Sequence, residues 1–67
     1  MNLLSIGGSD PSTGAGIQSD VIFFSSMNVH PLTVITAITV QNTSTFTNIE
    51  PTSPKILGEQ IESVFED

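Results

Sequence analysis

The run Leu32-Thr33-Val34-Ile35-Thr36-Ala37-Ile38-Thr39-Val40 constrains this chain more than any other feature. It carries no charge and is rich in β-branched residues, which are stiff at χ1 and fit a pleated strand. A strand with one wet face alternates apolar and polar positions. This run does not, so it reads as a strand covered on both faces, as in parallel sheets flanked by helices. The chain is therefore expected to build an α/β layered fold.

The flanking sequence supplies matching parts. Leu3-Leu4-Ser5-Ile6 reads as a first strand stopped by Gly7-Gly8. Gly8 to Gly16 is a loop of turn formers, stiffened where Pro11 pushes Asp10 toward an extended conformation. From about Gly14 to Met27, Ile17, Val21 and Phe24 fall on one helical face, with Ser12 or Thr13 as cap and Asn28 as stop. Ile22 and Phe23 lie off that face and predict neighbours on more than one side. Strand, helix and strand then form a βαβ unit. Thr43 to Ile49 reads as a further short strand. Ser53 caps a second helix with Pro54 at its first position. Leu57, Ile61 and Val64 mark its inner face, with Phe65 beside them, and Glu59, Glu62 and Glu66 its wet side.

The size of the chain leads to the expectation of an unfinished sheet. The chain has 67 residues, 37% of them hydrophobic, enough for one small core. A domain of this size buries only about 60% of its unfolded surface. There is no cysteine to cross-link it, and His30 is the only histidine, so neither a disulfide nor a common zinc site is expected. Glu66-Asp67 put negative charge at a helix C-terminus, against the dipole, and no Gly or Asn closes that helix. The expectation is an N-terminal βαβ portion, residues 1–67, of a longer α/β domain whose core is completed by more chain or another chain.

Charge excludes two classes of partner. The net charge is −6 and Lys55 is the only basic residue. Nucleic acid and anionic membranes both require clustered Lys or Arg, so neither is an expected partner. Leu3 to Ile6 is too short for a signal core, and no run approaches the roughly 18 apolar residues of a membrane span. A cytoplasmic location is expected, and the sequon Asn42-Thr43-Ser44 is then incidental.

Two parallel strands place their carboxyl ends on one sheet edge, where ligands of open α/β sheets bind. The glycine-rich loop leaves one such end and Gln41-Asn42 the other. Gly14-Ala15-Gly16 admits close approach of a ligand to the backbone at a helix start, or equally makes a tight turn. It lacks the context of a dinucleotide fingerprint and the Gly-Lys-Ser/Thr of a P-loop. Gln41 carries an acceptor and two donors in a plane, matching an aminopyrimidine edge, or is satisfied by backbone. Asp20 suits a substrate hydroxyl or the helix dipole; Asp10 suits a ligand or an Asx turn. His30 is read as structural and Phe46 as a packing residue.

The same residues carry a family resemblance. Gly8-Ser9-Asp10-Pro11-Ser12, Gly14-Ala15-Gly16-Ile17-Gln18 and Asp20 resemble the opening motif of the hydroxymethylpyrimidine and phosphomethylpyrimidine kinases. So do Val34-Ile35-Thr36-Ala37 and Gln41-Asn42-Thr43, with Glu50-Pro51, Gln60-Ile61, Val64 and Asp67 in register. The resemblance covers nearly the whole chain. It implies a ribokinase-like α/β fold and transfer of the ATP γ-phosphoryl group to the hydroxymethyl group of thiamine's aminopyrimidine precursor, then to its monophosphate. It implies Gln41 as reader of the pyrimidine edge, Gly8 and Ala15 as pocket walls on the ring, Asp20 as a polar pocket residue, and Thr39 as a lining residue where the family often has an apolar one.

The chain departs from the family where Thr13 replaces a usual glycine, Ser19 an alanine, Ile22 a basic residue, and Asn28 and Pro31 glycines near the connector. Family members are several times longer. Their general base, anion hole and most ATP and Mg²⁺ contacts lie further along, and a homodimer is possible for the full-length enzyme. No catalytic residue and no metal ligand is expected in this segment, and the isolated chain is expected to be inactive. A pyridoxal kinase of the same superfamily and a non-catalytic pyrimidine-binding module are the alternatives.

Overall fold

A computed structural model describes residues 1–66. Its elements run β1 (Asn2–Ser9), α1 (Gly16–Ser26), β2 (His30–Gln41), β3 (Phe46–Pro51) and α2 (Pro54–Glu66). The sheet has order β1-β2-β3, with β1 and β2 parallel and β2 and β3 an antiparallel hairpin. The α/β class and the βαβ unit expected from the sequence are both present.

The boundaries differ from expectation in three places, each for a local reason. β1 continues through Gly7-Gly8 to Ser9, because the two glycines accommodate a register shift rather than ending the strand. Gly7 aligns with Ile35 and Gly8 with Ala37, so Thr36 is the extra residue on β2. The third strand starts at Phe46, not Thr43. Asn42 Oδ1 accepts from the N–H groups of Ser44 (2.8 Å) and Thr45 (2.9 Å), which folds Asn42 to Thr45 into a turn. The first helix starts at Gly16, and neither Ser12 nor Thr13 caps it.

Its far end is as expected. Asn28 has φ 58°, its N–H bonds to the carbonyl of Ser25 (3.1 Å), and Val29 N–H bonds to that of Phe24 (3.0 Å). This paired arrangement closes a helix on a left-handed residue. Ser53 Oγ accepts from Ile56 N–H (3.2 Å) and caps α2.

α1 packs on β1 and β2, and α2 on β2. Gln60 of α2 completes the edge of β2 below the hairpin: its Oε1 accepts from Ile35 N–H and its Nε2 donates to Ile35 carbonyl, each at 2.9 Å. The buried apolar residues are Val34, fully enclosed, and Ile17. Ile6, Ile38, Val40, Phe46 and Ile49 are each more than half exposed. The run in β2 is thus only partly covered among the described residues, and Ile22 and Phe23 also face outward. The accessible surface is 4663 Å². A compact monomer of 7.1 kDa would expose about 4,100 Å², so the described layers leave more surface open than a closed domain of this mass.

Candidate functional site

Parallel pairing brings the carboxyl ends of β1 and β2 to one edge, and hydrogen bonds join them there. Ser9, the last residue of β1, aligns with Ile38. The hydroxyl of the next residue on β2, Thr39, donates to Ser9 carbonyl (2.6 Å). Gln41 Nε2 donates to the same hydroxyl oxygen (2.7 Å). From Ser9 the chain of bonds turns into α1. Gln18 Nε2 donates to Ser9 Oγ (2.6 Å), and Gln18 Oε1 accepts from Asp10 N–H (2.7 Å). Two strands and one helix are therefore tied at the level of Gln41.

Asp10 organises the adjoining loop. It is buried, with 4% of its surface exposed. One carboxylate oxygen accepts from Ser12 N–H (2.8 Å) and Ser12 Oγ (2.6 Å), the other from Ala15 N–H (2.9 Å). The Ser12 hydroxyl, helped by the backbone N–H groups of Ser12, Ala15 and Gly14, holds the Asp10 carboxyl below its usual pKa against the opposing effect of burial. Ser12 and Thr13 do not cap α1 because the helix begins at Gly16 with Ala15 at its N-cap position, and the loop ahead of it is instead tied together by Asp10. Of the two readings open for Asp10, the Asx turn is the one its oxygens adopt.

Gly16 is fixed by two constraints. Its φ is +66°, and a Cβ built there would stand 2.4 Å from Gly8 carbonyl oxygen. The helix start and the end of β1 thus touch backbone to backbone. Thr13, where the family resemblance places glycine, has φ 64°.

The expected site residues divide into groups. Thr39 and Gln41 are partly buried and hydrogen-bonded to each other. Gly8 immediately precedes Ser9 and pairs with Ala37. Ala15 is exposed at the start of α1. Asp20 lies one level back: its Oδ2 accepts from the hydroxyl of buried Ser5 (2.6 Å). Ser5 precedes Ser9 by four positions, roughly 13 Å along the strand. Asn42, the other half of the expected amide pair, has its side-chain oxygen engaged in the turn. Phe46 aligns with Gln41 across the hairpin and is mostly exposed, so among the described residues it does not pack as expected. Ser9 and Gln18 stand in the resemblance motif without a role of their own, and the structure gives them one. The available sign was Gln18, a polar residue beside Ile17 on the packed side of α1.

Among the described residues, no three His, Cys, Asp or Glu side chains are grouped to hold a metal ion. Lys55, the only basic side chain, is exposed on α2. The residues present do not fit a Mg²⁺–triphosphate site. No described helix is long and apolar enough to cross a membrane. An open hollow lined by Ile35, Ile38, Pro51 and Ile56 between the hairpin and α2 contains none of the site residues.

Residues 10–67 match the family model for phosphomethylpyrimidine kinase. The chain is 50% identical over 64 residues to a hydroxymethylpyrimidine/phosphomethylpyrimidine kinase of Rhizobium meliloti, covering 96% of this chain and 24% of that protein. Its structure is similar to the crystal structure of phosphomethylpyrimidine kinase from Clostridium difficile, with TM-score 0.96 and 49% identity over 100% of this chain and 31% of the other. It is also similar to the pyridoxal kinase of Staphylococcus aureus in complex with AMP-PCP and pyridoxal, with TM-score 0.86 and 29% identity over 97% of this chain and 25% of that one. The chain spans about a quarter of the length of the curated relatives it matches.

Proposed function

This chain belongs to the phosphomethylpyrimidine kinase family, and from that premise we propose that it forms the substrate-side, N-terminal part of an ATP-dependent pyrimidine kinase. The full enzyme would phosphorylate 4-amino-5-hydroxymethyl-2-methylpyrimidine and then its monophosphate, in thiamine biosynthesis. The observation that carries this reading is Gln41 at the carboxyl edge of the sheet, its carboxamide held through Thr39 to Ser9. Among the described residues its Oε1 accepts no hydrogen bond from the protein, so an acceptor and a second N–H remain for a ligand. Gly8, near the end of β1, and Ala15, at the start of α1, carry little side-chain bulk, which suits walls for a flat ring. Asp20, bonded to Ser5 one level back from this edge, is proposed as a polar pocket residue on the family likeness alone.

Phosphoryl transfer depends on charge stabilisation around the phosphates. ATP and Mg²⁺ therefore belong to other parts of the polypeptide, and the 67 residues alone are expected not to turn over. A cytoplasmic location and a homodimeric full-length enzyme belong to the same proposal. The likeness to pyridoxal kinase supports a second reading, in which pyridoxal is the substrate.

A chimera tests both readings. Residues 1–67 would replace the matching segment of the Clostridium difficile kinase, and phosphorylation of hydroxymethylpyrimidine and pyridoxal would be compared with Mg-ATP. The pyrimidine is expected to be the better substrate, and Gln41→Leu to lower its kcat/KM by roughly tenfold to a hundredfold, the size of two hydrogen bonds to a neutral edge. Unchanged turnover in Gln41→Leu would remove Gln41 from the pocket. A preference for pyridoxal would establish the second reading instead.

A further inference from the structure

We infer that Thr39 is a positioning residue that fixes which way round the Gln41 carboxamide stands, and so selects the hydrogen-bonding sense of the ligand edge; this rests on the reading of Gln41 as the pyrimidine contact.

The argument follows a single proton. A threonine hydroxyl has one hydrogen to donate and lone pairs to accept with. Thr39 Oγ1 lies 2.6 Å from Ser9 carbonyl oxygen, which can only accept. The proton of Thr39 is therefore committed to Ser9. Toward Gln41 the hydroxyl presents only lone pairs, at 2.7 Å. The amide group facing it must be the nitrogen. A carboxamide turned over by 180° would set Oε1 against Thr39 Oγ1, two acceptors with no hydrogen between them. Ser9 is itself held through its own hydroxyl by Gln18, so the reference carbonyl is anchored.

The consequence is a fixed pattern on Gln41: Oε1 as acceptor in one position, the second N–H as donor in the other. That pattern complements an edge with an amino donor beside a ring-nitrogen acceptor. It opposes the 4-oxo counterpart, whose carbonyl acceptor and ring N–H donor occupy the reversed positions. Without the hydroxyl, rotation of the amide would serve either edge. Thr39 thus acts through Gln41, without needing to touch the ligand.

The test measures binding of 4-amino-5-hydroxymethyl-2-methylpyrimidine and of its 4-oxo counterpart to the chimera by calorimetric titration. Thr39→Val keeps the β-branched shape and removes the hydroxyl. It is expected to reduce the amino-over-oxo preference by roughly five- to tenfold, the equivalent of about one neutral hydrogen bond. Thr39→Ser keeps the hydroxyl and is expected to retain the preference, which also guards against a variant that fails to fold. A wild-type preference in Thr39→Val, with Gln41→Leu impaired, would overturn the positioning role alone. Unimpaired binding in Gln41→Leu, or no binding of the pyrimidine by the parent chimera, would overturn the reading beneath it as well.

Discussion

Replacing Gly16 by alanine should be the most damaging single-methyl change in the loop. Two terms combine. At φ +66° an L-residue is disfavoured by about 1–2 kcal/mol. The new Cβ would also stand 2.4 Å from Gly8 carbonyl oxygen. That neighbour is backbone, so relief requires β1 or α1 to move, and such overpacking costs about 1–3 kcal/mol. Against these, alanine restricts the unfolded chain and returns about 0.4–1 kcal/mol. The net expectation is a loss of about 1–4 kcal/mol, a large part of a typical domain's total. Gly58→Ala is the internal control. It sits within α2 with no atom within 4 Å of its added Cβ, and should gain about 0.5–1 kcal/mol from helix propensity. Urea unfolding of the two variants in the chimera, compared at equal slope, gives both values. Should Gly16→Ala unfold at or above the parental midpoint, the backbone contact between Gly8 and Gly16 is not the close approach described.

Thr13→Gly should move stability in the opposite direction. The φ of 64° disfavours a β-branched residue by about 1–2 kcal/mol, and the unfolded-state freedom of glycine offsets part of this; a gain of about 0.5–1 kcal/mol in the same unfolding assay is expected. Asp10 makes stability depend on pH. Its folded pKa is lowered from 3.8, chiefly by the Ser12 hydroxyl. Its contribution is therefore present above the unfolded value and is lost as pH falls below about 3.8 through the lower folded value. Asp10→Asn should flatten that acid limb, seen by comparing unfolding midpoints from neutral pH down into the acid range. An unchanged limb would show that the carboxylate does not hold the loop.

Much of the fold was legible because it follows from local chemistry. Leu32 to Val40 is rich in β-branched residues and uncharged, and it is the central strand. Asn28 is one of the few residues other than glycine that tolerates a positive φ, and it ends α1 there. Ser53 and Pro54 start α2 because an oxygen and a missing N–H are both favourable at a helix beginning. The loop was harder. Gly7-Gly8 reads as a stop, yet β1 runs on through it opposite the extra residue Thr36 on β2, because whether a glycine ends a strand depends on the register of its partner. Asp10 had two uses, and only the folded loop brings Ser12 and Ala15 to its oxygens.

The sequence by itself determined the layered α/β class, the parallel pairing and the sheet edge on which Gln41 emerges, because periodicity and turn chemistry are properties of neighbouring residues. Only the tertiary structure decided which polar side chains at that edge are free and which way they face. Asn42 is engaged by its own turn and Gln41 donates to Thr39, while Asp20, bonded to Ser5, lies one level back from that edge. The physical reason is that a hydrogen bond depends on two groups being within about 3 Å of each other, and Thr39 meets the carbonyl of Ser9 across a sequence separation of 30.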